Sequence, residues 1–244
     1  MSRKDLKPGV WSYNGVLPKG EDSHAFFEKL IELDEELLLM HGNKVNPLDE
    51  TLLEAIIHII LTQNTSDVNS DRTFVSLMQR FPTWEGMRTA DVLDIADAIK
   101  MGGISSIKSK RIIEVLNVIK DRSSDYDLSF VEAMECDDAM EYLMSMPGVG
   151  PKSAACALLF SLGRPTFPVD THVHRVANRL GLVKTKDLSA TQRRIAPYVP
   201  QENTYQLHVN MVHHGRKICK AIRPRCGDCS LSYDCMYVKG NMEG

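Results

Sequence analysis

The sequence predicts an all-α protein, and three observations support this prediction. Apolar residues recur at helical spacing from Ser23 to about residue 218. No segment alternates between apolar and polar side chains in the way that a half-buried strand does. The connections between the helical stretches are short, and no repeat or low-complexity tract interrupts them. With 244 residues, of which 43% are hydrophobic, the chain can bury a core as one large domain or two closely packed ones.

Six helices are predicted before residue 137. The first spans about 23–41 and ends at His41-Gly42, where the glycine can take the left-handed capping conformation. The next begins at Leu52 and is apolar nearly all round, which predicts a buried helix. Ser129-Phe-Val-Glu132 matches a capping box that opens another helix. The remaining helical patterns of this half lie at about 67–80, 89–99 and 105–121.

The second half begins with a short predicted helix at about 137–145, the turn Met146-Pro-Gly-Val-Gly150 and a helix at about 151–162. Beyond Pro165 and Pro168 the helical spacing resumes. These later helices are predicted at about 171–181, at 189–196 behind a capping box Ser189-Ala-Thr-Gln192, and at 203–218. Residues 1–20 contain several Pro and Gly residues and are predicted to form a flexible arm.

The charge balance argues against a global nucleic-acid-binding field. The net charge is -3 and the isoelectric point is near 6.2, so a DNA-binding surface has to be a local patch. No stretch approaches the roughly 18 consecutive apolar residues of a membrane span. Met1-Ser-Arg-Lys-Asp5 leads into no apolar signal-peptide core. We therefore expect a soluble protein of the cytoplasm or nucleoid with no membrane partner.

The hairpin Pro147-Gly-Val-Gly-Pro-Lys152 is the first candidate for chemistry. Its glycines permit a tight turn, and the amides at the start of the next helix, with the positive end of the helix dipole, can bind a phosphate. A simpler interpretation is an ordinary helical hairpin in which the glycines serve only the bend. Eighteen residues after Lys152 comes Asp170, in the run Val169-Asp-Thr-His172.

The stretch from Met146 to Leu182 resembles the helix-hairpin-helix and Gly/Pro-Asp signature of the endonuclease III family of DNA glycosylases. The resemblance implies a two-domain helix-hairpin-helix glycosylase fold in which Lys152 and Asp170 are the catalytic pair, and in which Gly148, Val149 and Gly150 contact DNA. An uncharged lysine amine can attack C1′ of deoxyribose, form an iminium and permit strand cleavage by β-elimination. A nearby carboxylate stabilises the oxocarbenium character of the sugar. Asp170 also suits the role of N-cap for the helix from Thr171.

Four cysteines form the second candidate site, with the spacing Cys219-x6-Cys226-x2-Cys229-x5-Cys235. Four thiols within 17 residues indicate metal ligation, and spacing alone leaves both zinc and an iron–sulfur cluster open. The family resemblance implies a [4Fe-4S] cluster, because the family's C-terminal loop has this spacing. Three cations between the first two ligands are predicted to contact DNA phosphates, unless they form a solvated loop: Lys220, Arg223 and Arg225.

Two further loops are predicted to enter DNA by resemblance only. In the family, an amide side chain fills the hole left by the extruded nucleotide; ungapped comparison gives Asn64 this role, with Gln63 as the other candidate. Ile104 corresponds to an apolar wedge that enters the opposite strand. Without the resemblance, Gln63 and Asn64 are a helix cap and turn. The nearby cations Lys108, Lys110 and Arg111 fit either a solvated helix face or DNA contacts.

The resemblance covers about residues 24–238 and implies a domain organisation. A six-helix domain is expected at 46–163, including the hairpin at about 137–162, and a second domain is expected to combine 21–45 with 164–244 and a cluster loop at 219–235. Five histidines are expected to pack or to face phosphates rather than to bind metal, and Cys136 and Cys156 are expected to be small buried hydrophobes. The histidines are His172, His174, His208, His213 and His214.

The expected activity is that of a monomeric base excision repair glycosylase with AP lyase activity. Its expected partner is duplex DNA that contains damaged bases or abasic sites, and its expected substrates are oxidised or ring-saturated pyrimidines. Two alternatives stay open at this point. One is an adenine or mismatch glycosylase of the same superfamily, although these typically lack a lysine at position 152. The other is a non-catalytic DNA-binding module that uses only the hairpin and a zinc-bound loop.

Overall fold

The computed structural model describes residues 23–242, and within this range the chain forms thirteen α-helices and no β-strand. The prediction of an all-α protein is confirmed. The chain divides into two compact units, one of Leu48–Leu162 and one that combines the chain up to Pro47 with the chain from Gly163. Residues 1–20, predicted to be a flexible arm, lie outside the described residues. No described helix is long and apolar enough to cross a membrane.

The unit of residues 48–162 is organised around a buried second helix, α2. Its helices are α2 Leu52–Thr62, α3 Asp67–Arg80, α4 Trp84–Thr89, α5 Val92–Ala98, α6 Ser105–Arg122, α7 Ser129–Glu132, α8 Cys136–Met144 and α9 Pro151–Leu162. Thr51 and Glu54 form a reciprocal capping box at the start of α2. Ile57 and Ile60 of α2 are fully buried, and α2 packs against α3, α6 and α9. Each such burial stabilises the unit by about 1.5–3 kcal/mol.

The other unit contains five of the described helices and is centred on α12. They are α1 Ser23–His41, α10 Thr171–Leu180, α11 Leu188–Ile195, α12 Thr204–Lys217 and α13 Met236–Met242. α12 packs against both α1 and α10. Leu30 and Leu37 of α1 and Leu207 and Met211 of α12 are fully buried. This packing brings the start of α10 and the cysteine segment that follows α12 into one unit.

Both capping boxes predicted at serines are wrong, and an aspartate two residues earlier explains each case. α11 begins at Leu188, and its N-cap is Asp187, whose carboxylate accepts the Ala190 amide at 2.8 Å. In the other case the carboxylate of Asp127 binds both the amide and the hydroxyl of Ser129. An ionised carboxylate is the stronger acceptor, so at each helix start the aspartate rather than the serine accepts a backbone amide.

The helix predicted at about 89–99 is present as α5 with the shorter bounds Val92–Ala98, and a second short helix, α4, precedes it. α4 ends at Thr89, and Asp91 caps α5 by accepting the Leu93 amide at 2.8 Å. Ala90 and Asp91 both have extended backbone conformations, and these two residues separate α4 from α5. The sequence reasoning missed α4, although Thr83 provides its cap by accepting the Gly86 amide.

Candidate active site and cysteine cavity

The hairpin between α8 and α9 closes on a tight turn. The Val149 amide donates to the Met146 carbonyl at 3.1 Å, and Gly148 has φ +79°, a conformation that favours glycine. Pro151 begins α9, and the first intrahelical bond joins the Ala154 amide to the Gly150 carbonyl at 2.9 Å. The amides of Lys152 and Ser153 therefore belong to the first turn, where helical geometry provides no acceptor. The hairpin offers these donors to an anion.

The two glycines of the hairpin have different roles. A Cβ atom added at Gly148 would lie 2.6 Å from Cδ of Arg111, whereas one added at Gly150 would meet no atom within 4 Å. A glycine is thus needed at position 148, because the backbone has positive φ and Arg111 approaches closely. Gly150 faces open space. Val149 is 7% exposed and uses its amide within the turn, so its amide is not among those offered to a phosphate.

Arg111 connects the hairpin to the loop that follows α2. Its guanidinium donates to Oε1 of Gln63 at 2.6 Å, and Nε2 of Gln63 donates to the Gly148 carbonyl at 3.0 Å. Both ends of the Gln63 amide are therefore engaged. The neighbouring Asn64 is exposed and has φ +54°. Of the two predicted gap-filling residues, Asn64 is the one at the exposed tip of the loop.

Lys152 lies in the first turn of α9 and is half-buried. Its place directly after the hairpin follows from Pro151, whose fixed φ and missing N–H suit the first helical position. The rest of α9 is buried along Ala154, Ala155 and Leu158, which holds the helix in the core of its unit. The buried helix therefore holds the backbone of Lys152 in place, whereas the lysine side chain can adopt several conformations.

Asp170 is the N-cap of α10, as the sequence predicts. Its Oδ1 accepts the amides of His172 at 2.9 Å and of Val173 at 2.8 Å. Within the described residues, Oδ2 has no hydrogen-bond partner. The two bonds fix the carboxylate and leave one oxygen for another ligand, which is the arrangement that a charge-stabilising group needs.

The segment before Asp170 is fixed by burial and by His208. Thr166, Phe167 and Val169 have no exposed surface. Nδ1 of His208 donates to the Pro168 carbonyl at 3.0 Å, and its ring meets the Phe167 ring edge-on, with centroids 6.1 Å apart. His208 is therefore a packing residue that holds the backbone leading to Asp170, as expected for a histidine outside a metal site.

The four cysteines line one small cavity together with apolar residues. Cys219, Cys226, Cys229 and Cys235 face it alongside Val176, Leu180, Ile218 and Val238. Burial, together with the charges of the three other cysteines, raises the pKa of the Cys229 thiol to about 11. No disulfide joins these cysteines. As their side chains lie, the described residues contain no group of three metal-binding side chains that could hold an ion.

This cavity fits a thiolate-bound iron–sulfur cluster by its donor chemistry. Four thiols on one apolar cavity are the ligand set of such a cluster. A guanidinium N–H of Arg179 donates to Sγ of Cys219 at 3.5 Å, and such bonds to sulfur stabilise a negatively charged centre. The residues present are thus compatible with the group that the resemblance implies.

The loop carrying these cysteines is held by two arginines of α10. Arg175 donates to the carbonyls of Cys219 at 2.9 Å and Gly215 at 2.8 Å. Arg179 donates to the carbonyls of Lys220 at 2.7 Å and Ala221 at 3.0 Å. These bonds fix the backbone at the first cysteine.

The three cations predicted to contact DNA in this loop differ in their surroundings. Lys220 and Arg223 are exposed, and Arg223 has φ +51°. Arg225 forms an exposed ion pair with Asp228 at 2.6 Å, which offsets part of its charge. Of the three cations, Arg225 is therefore the one whose charge is partly offset within the loop.

Comparison with known proteins identifies the chain. The model of the "HhH-GPD superfamily base excision DNA repair protein" matches residues 57–201, more than half of the sequence. The chain belongs to the HhH-GPD superfamily. The matched residues include Lys152 and Asp170 but end before Cys219.

This HhH-GPD chain is similar to both bacterial and plant proteins. It is 31% identical over 189 residues to endonuclease III of Thermotoga maritima, a match that covers 78% of this chain and 84% of the relative. It is 35% identical over 172 residues to an Arabidopsis thaliana protein, covering 70% of this chain but only 58% of the plant protein. Its fold resembles that of endonuclease III in a non-covalent DNA complex, with a TM-score of 0.75 and 22% identity over 92% of this chain and all of the other.

The HhH-GPD chain differs most from the sequence predictions at Lys108. The possibility of a solvated or DNA-facing Lys108 is wrong, because the side chain is 2% exposed and binds three oxygens of its own unit. Ile104 is 48% exposed at the N-terminus of α6, as a wedge requires. The sequence reasoning also missed the link between Arg111 and Gln63, since no local signal pairs residues 48 positions apart.

Proposed function

We propose that this protein is a base excision repair DNA glycosylase with AP lyase activity that removes oxidised or ring-saturated pyrimidines from duplex DNA. The observation that carries the proposal is the pair of motif residues in their local settings. Lys152 follows a hairpin of the type that binds phosphate. Asp170 caps α10 through Oδ1, and its Oδ2 has no hydrogen-bond partner within the described residues. Membership of the HhH-GPD superfamily and similarity to endonuclease III of Thermotoga maritima support it.

The proposed reaction uses Lys152 as the nucleophile. Its uncharged amine forms a bond to C1′ as the glycosidic C1′–N bond breaks, and the departing base takes up a proton. The proton that the departing base takes up comes from the attacking amine, which leaves a neutral N,O-acetal at C1′. The nitrogen lone pair then forms a C1′–N double bond as the C1′–O4′ bond breaks and O4′ takes up a proton from water, which gives a protonated iminium at C1′. Removal of a C2′ proton expels the 3′ phosphate and cleaves the strand, and water then releases the amine.

Asp170 has the complementary role in this proposal. Positive charge develops on the sugar as the base departs, and the carboxylate stabilises it. Two backbone amides hold Oδ1, so the carboxylate does not have to reorganise when the charge appears. The cap and the catalytic role use different oxygens of one side chain.

DNA is proposed to contact the hairpin amides, the loop tip at Asn64 and the exposed Ile104. Asn64 rather than Gln63 is proposed to fill the gap, since Gln63 is engaged by Arg111 and Gly148. Lys220 and Arg223 are proposed to contact phosphates. The four cysteines are proposed to hold a [4Fe-4S] cluster, which when bound pins this loop and supplies no step of the reaction. Iron analysis and visible absorbance of the purified protein distinguish the cluster from zinc.

Borohydride trapping tests the chemistry. The wild-type protein should form a covalent adduct with a duplex that contains an abasic site, and Lys152→Gln should form none while it still binds the duplex. Lys100→Gln is the matched control, because Lys100 is an exposed lysine of the same unit and should leave trapping unchanged. An adduct formed by Lys152→Gln would contradict the assignment of the nucleophile.

A panel of duplexes, each with one defined lesion, tests the substrate class. Excision should be fastest for thymine glycol and related ring-saturated pyrimidines. Faster excision of adenine opposite an oxidised guanine, or of thymine opposite guanine, would favour a mismatch glycosylase instead. Binding without any excision or trapping would leave only a DNA-binding module.

A further inference from the structure

Lys108 is a buried cation that the proposed reaction does not use. Its side chain is 2% exposed, and Nζ lies 2.7 Å from the Leu61 carbonyl, 2.7 Å from Oγ1 of Thr65 and 2.8 Å from the Gly102 carbonyl. An ammonium has three N–H donors, so three oxygens can satisfy it. None of the three belongs to a carboxylate. Burial lowers the pKa of Lys108 below its ordinary value, which reflects the cost of this location.

Two of the three oxygens belong to the loops that are proposed to enter DNA, and the third lies in the last turn of the helix before the first loop. Leu61 is near the end of α2, where the first loop begins, and Thr65 directly follows Asn64. Gly102 precedes the wedge Ile104 by two residues. The Thr65 hydroxyl also donates to the Gly102 carbonyl, so the loops are joined directly as well as through Lys108.

Both loop tips have backbone conformations that need support. Asn64 has φ +54°, and Ile104 has φ +49° and ψ +38°, directly after Gly103 with φ +66°. A β-branched residue such as isoleucine is rarely found with positive φ. Strained residues persist only where the surrounding structure fixes them. Here Thr65 and Gly102, which both bind Lys108, lie within two positions of the strained tips at Asn64 and Ile104.

We propose that Lys108 is a positioning residue that fixes the gap-filling loop of residues 63–66 and the wedge turn of residues 102–104 relative to each other. The inference rests on the proposed function, in which Asn64 and Ile104 act on the same lesion. Two inserted side chains help to extrude one nucleotide only if their separation is set before DNA binds, because ordering them on binding would cost affinity. The alternative is that Lys108 only stabilises its unit.

Two variants with the same loss of charge separate these possibilities. Lys108→Met removes the ammonium but keeps a long side chain. Lys100→Met removes a 70% exposed lysine whose only described ion pair is at the surface. Both lower the net charge by one, so any general weakening of phosphate contacts affects them equally. Thr65→Val is the second test variant, since it removes one oxygen and the direct bond to Gly102 while Lys108 remains.

The probe is a duplex that carries a tetrahydrofuran abasic analogue opposite 2-aminopurine, compared with an undamaged duplex of the same sequence. The full chain is measured at a temperature at which circular dichroism shows each variant to be folded. The readouts are the ratio of the two affinities and the rise in 2-aminopurine fluorescence when the opposite base is unstacked. A purely stabilising residue would not alter either readout in folded protein.

Lys108→Met should lower the affinity ratio by about tenfold or more, as expected when inserted groups are displaced by about 1 Å, and should abolish the fluorescence rise. Thr65→Val should change both in the same direction by a smaller factor, and Lys100→Met should match the wild type. An unchanged ratio and fluorescence in Lys108→Met would overturn the inference. If Lys108→Met does not fold, an unchanged affinity ratio and fluorescence in Thr65→Val would overturn the inference.

The analogue cannot react, so this experiment is independent of the lysine chemistry. A wild-type protein that binds the analogue selectively but forms no borohydride adduct would overturn the proposed lyase activity and leave the inference about Lys108 in place.

Discussion

The two glycines of the hairpin allow backbone strain and DNA contact to be measured separately. Gly148→Ala should mainly destabilise the protein, and any loss of DNA affinity should be indirect, through displacement of Arg111. Gly150→Ala should have the opposite pattern. The difference follows from their surroundings, because an added Cβ atom meets Arg111 at the first position and nothing within 4 Å at the second.

The destabilisation expected for Gly148→Ala has three contributions. An alanine with φ near +79° costs about 1–2 kcal/mol relative to an ordinary helical or extended conformation. Arg111 has to move away from a contact of 2.6 Å, and loss of its charged bond to Gln63 costs about 1.5–3 kcal/mol if it is not remade. The reduced entropy of the unfolded chain offsets about 0.4–1 kcal/mol. We expect a net loss of about 2–3 kcal/mol, since Arg111 will recover part of its bond.

Gly150→Ala should change the free energy of unfolding by less than about 0.5 kcal/mol. Alanine is less favourable than glycine at the position before a helix, but it also lowers the entropy of the unfolded chain, and these two effects oppose each other. Its methyl group projects into open space where a phosphate is proposed to approach. DNA affinity should fall by about fivefold, the equivalent of one hydrogen bond of about 1 kcal/mol.

Urea unfolding and binding to a duplex with an abasic analogue measure the two effects on the same preparations. A Gly148→Ala protein as stable as the wild type would refute the reasoning from positive φ and the Arg111 contact. A Gly150→Ala protein with unchanged affinity would show that the face of the hairpin at this residue is not where DNA binds.

Two further predictions concern aspartates of the other unit. Asp170→Asn should reduce turnover by several decades while the fold is kept, since asparagine caps helices as well as aspartate does; Asp187→Asn, the same change at the N-cap of α11, should leave turnover unchanged. Equal turnover in the two variants would show that Asp170 acts only as a helix cap. Burial raises the pKa of Asp34 from 3.8 to about 6, so its contribution to stability is present below pH 3.8 and is lost as the pH rises through 6. The loss amounts to about 3 kcal/mol, and urea unfolding of Asp34→Asn from pH 4 to pH 7.5 should lack this part of the wild-type pH dependence.

Helical periodicity predicted most of the helices, because burial in one core imposes a repeat that is visible within each segment. The capping role of Asp170 was predictable for the same local reason, since an aspartate before Thr171 can reach only the next few amides. Local reasoning was wrong where two local signals competed. Asp187 and Asp127 each lie two residues before a serine that matches a capping box, and in both places the aspartate rather than the serine accepts a backbone amide.

The parts of the candidate site that sequence reasoning missed are long-range hydrogen bonds, most of them to backbone carbonyls. Lys108 reaches back 47 residues to Leu61, and His208 reaches back 40 residues to Pro168. A carbonyl is present at every residue, so it leaves no mark in the sequence that would identify it as a partner. A lysine on a helix is normally exposed, and only the three converging oxygens make burial of Lys108 tolerable.

The negative net charge gives these contacts their significance. A chain with a net charge of -3 gains little from long-range attraction to DNA, so its affinity has to come from groups placed accurately at short range. In the unit of residues 48–162, two cations one turn apart on α6 supply that placement. Lys108 joins the gap-filling loop to the wedge turn, and Arg111 joins the same loop to the hairpin through Gln63. In our proposal both cations order the turns that contact DNA rather than attract phosphate, which would explain why this basic stretch is partly internal.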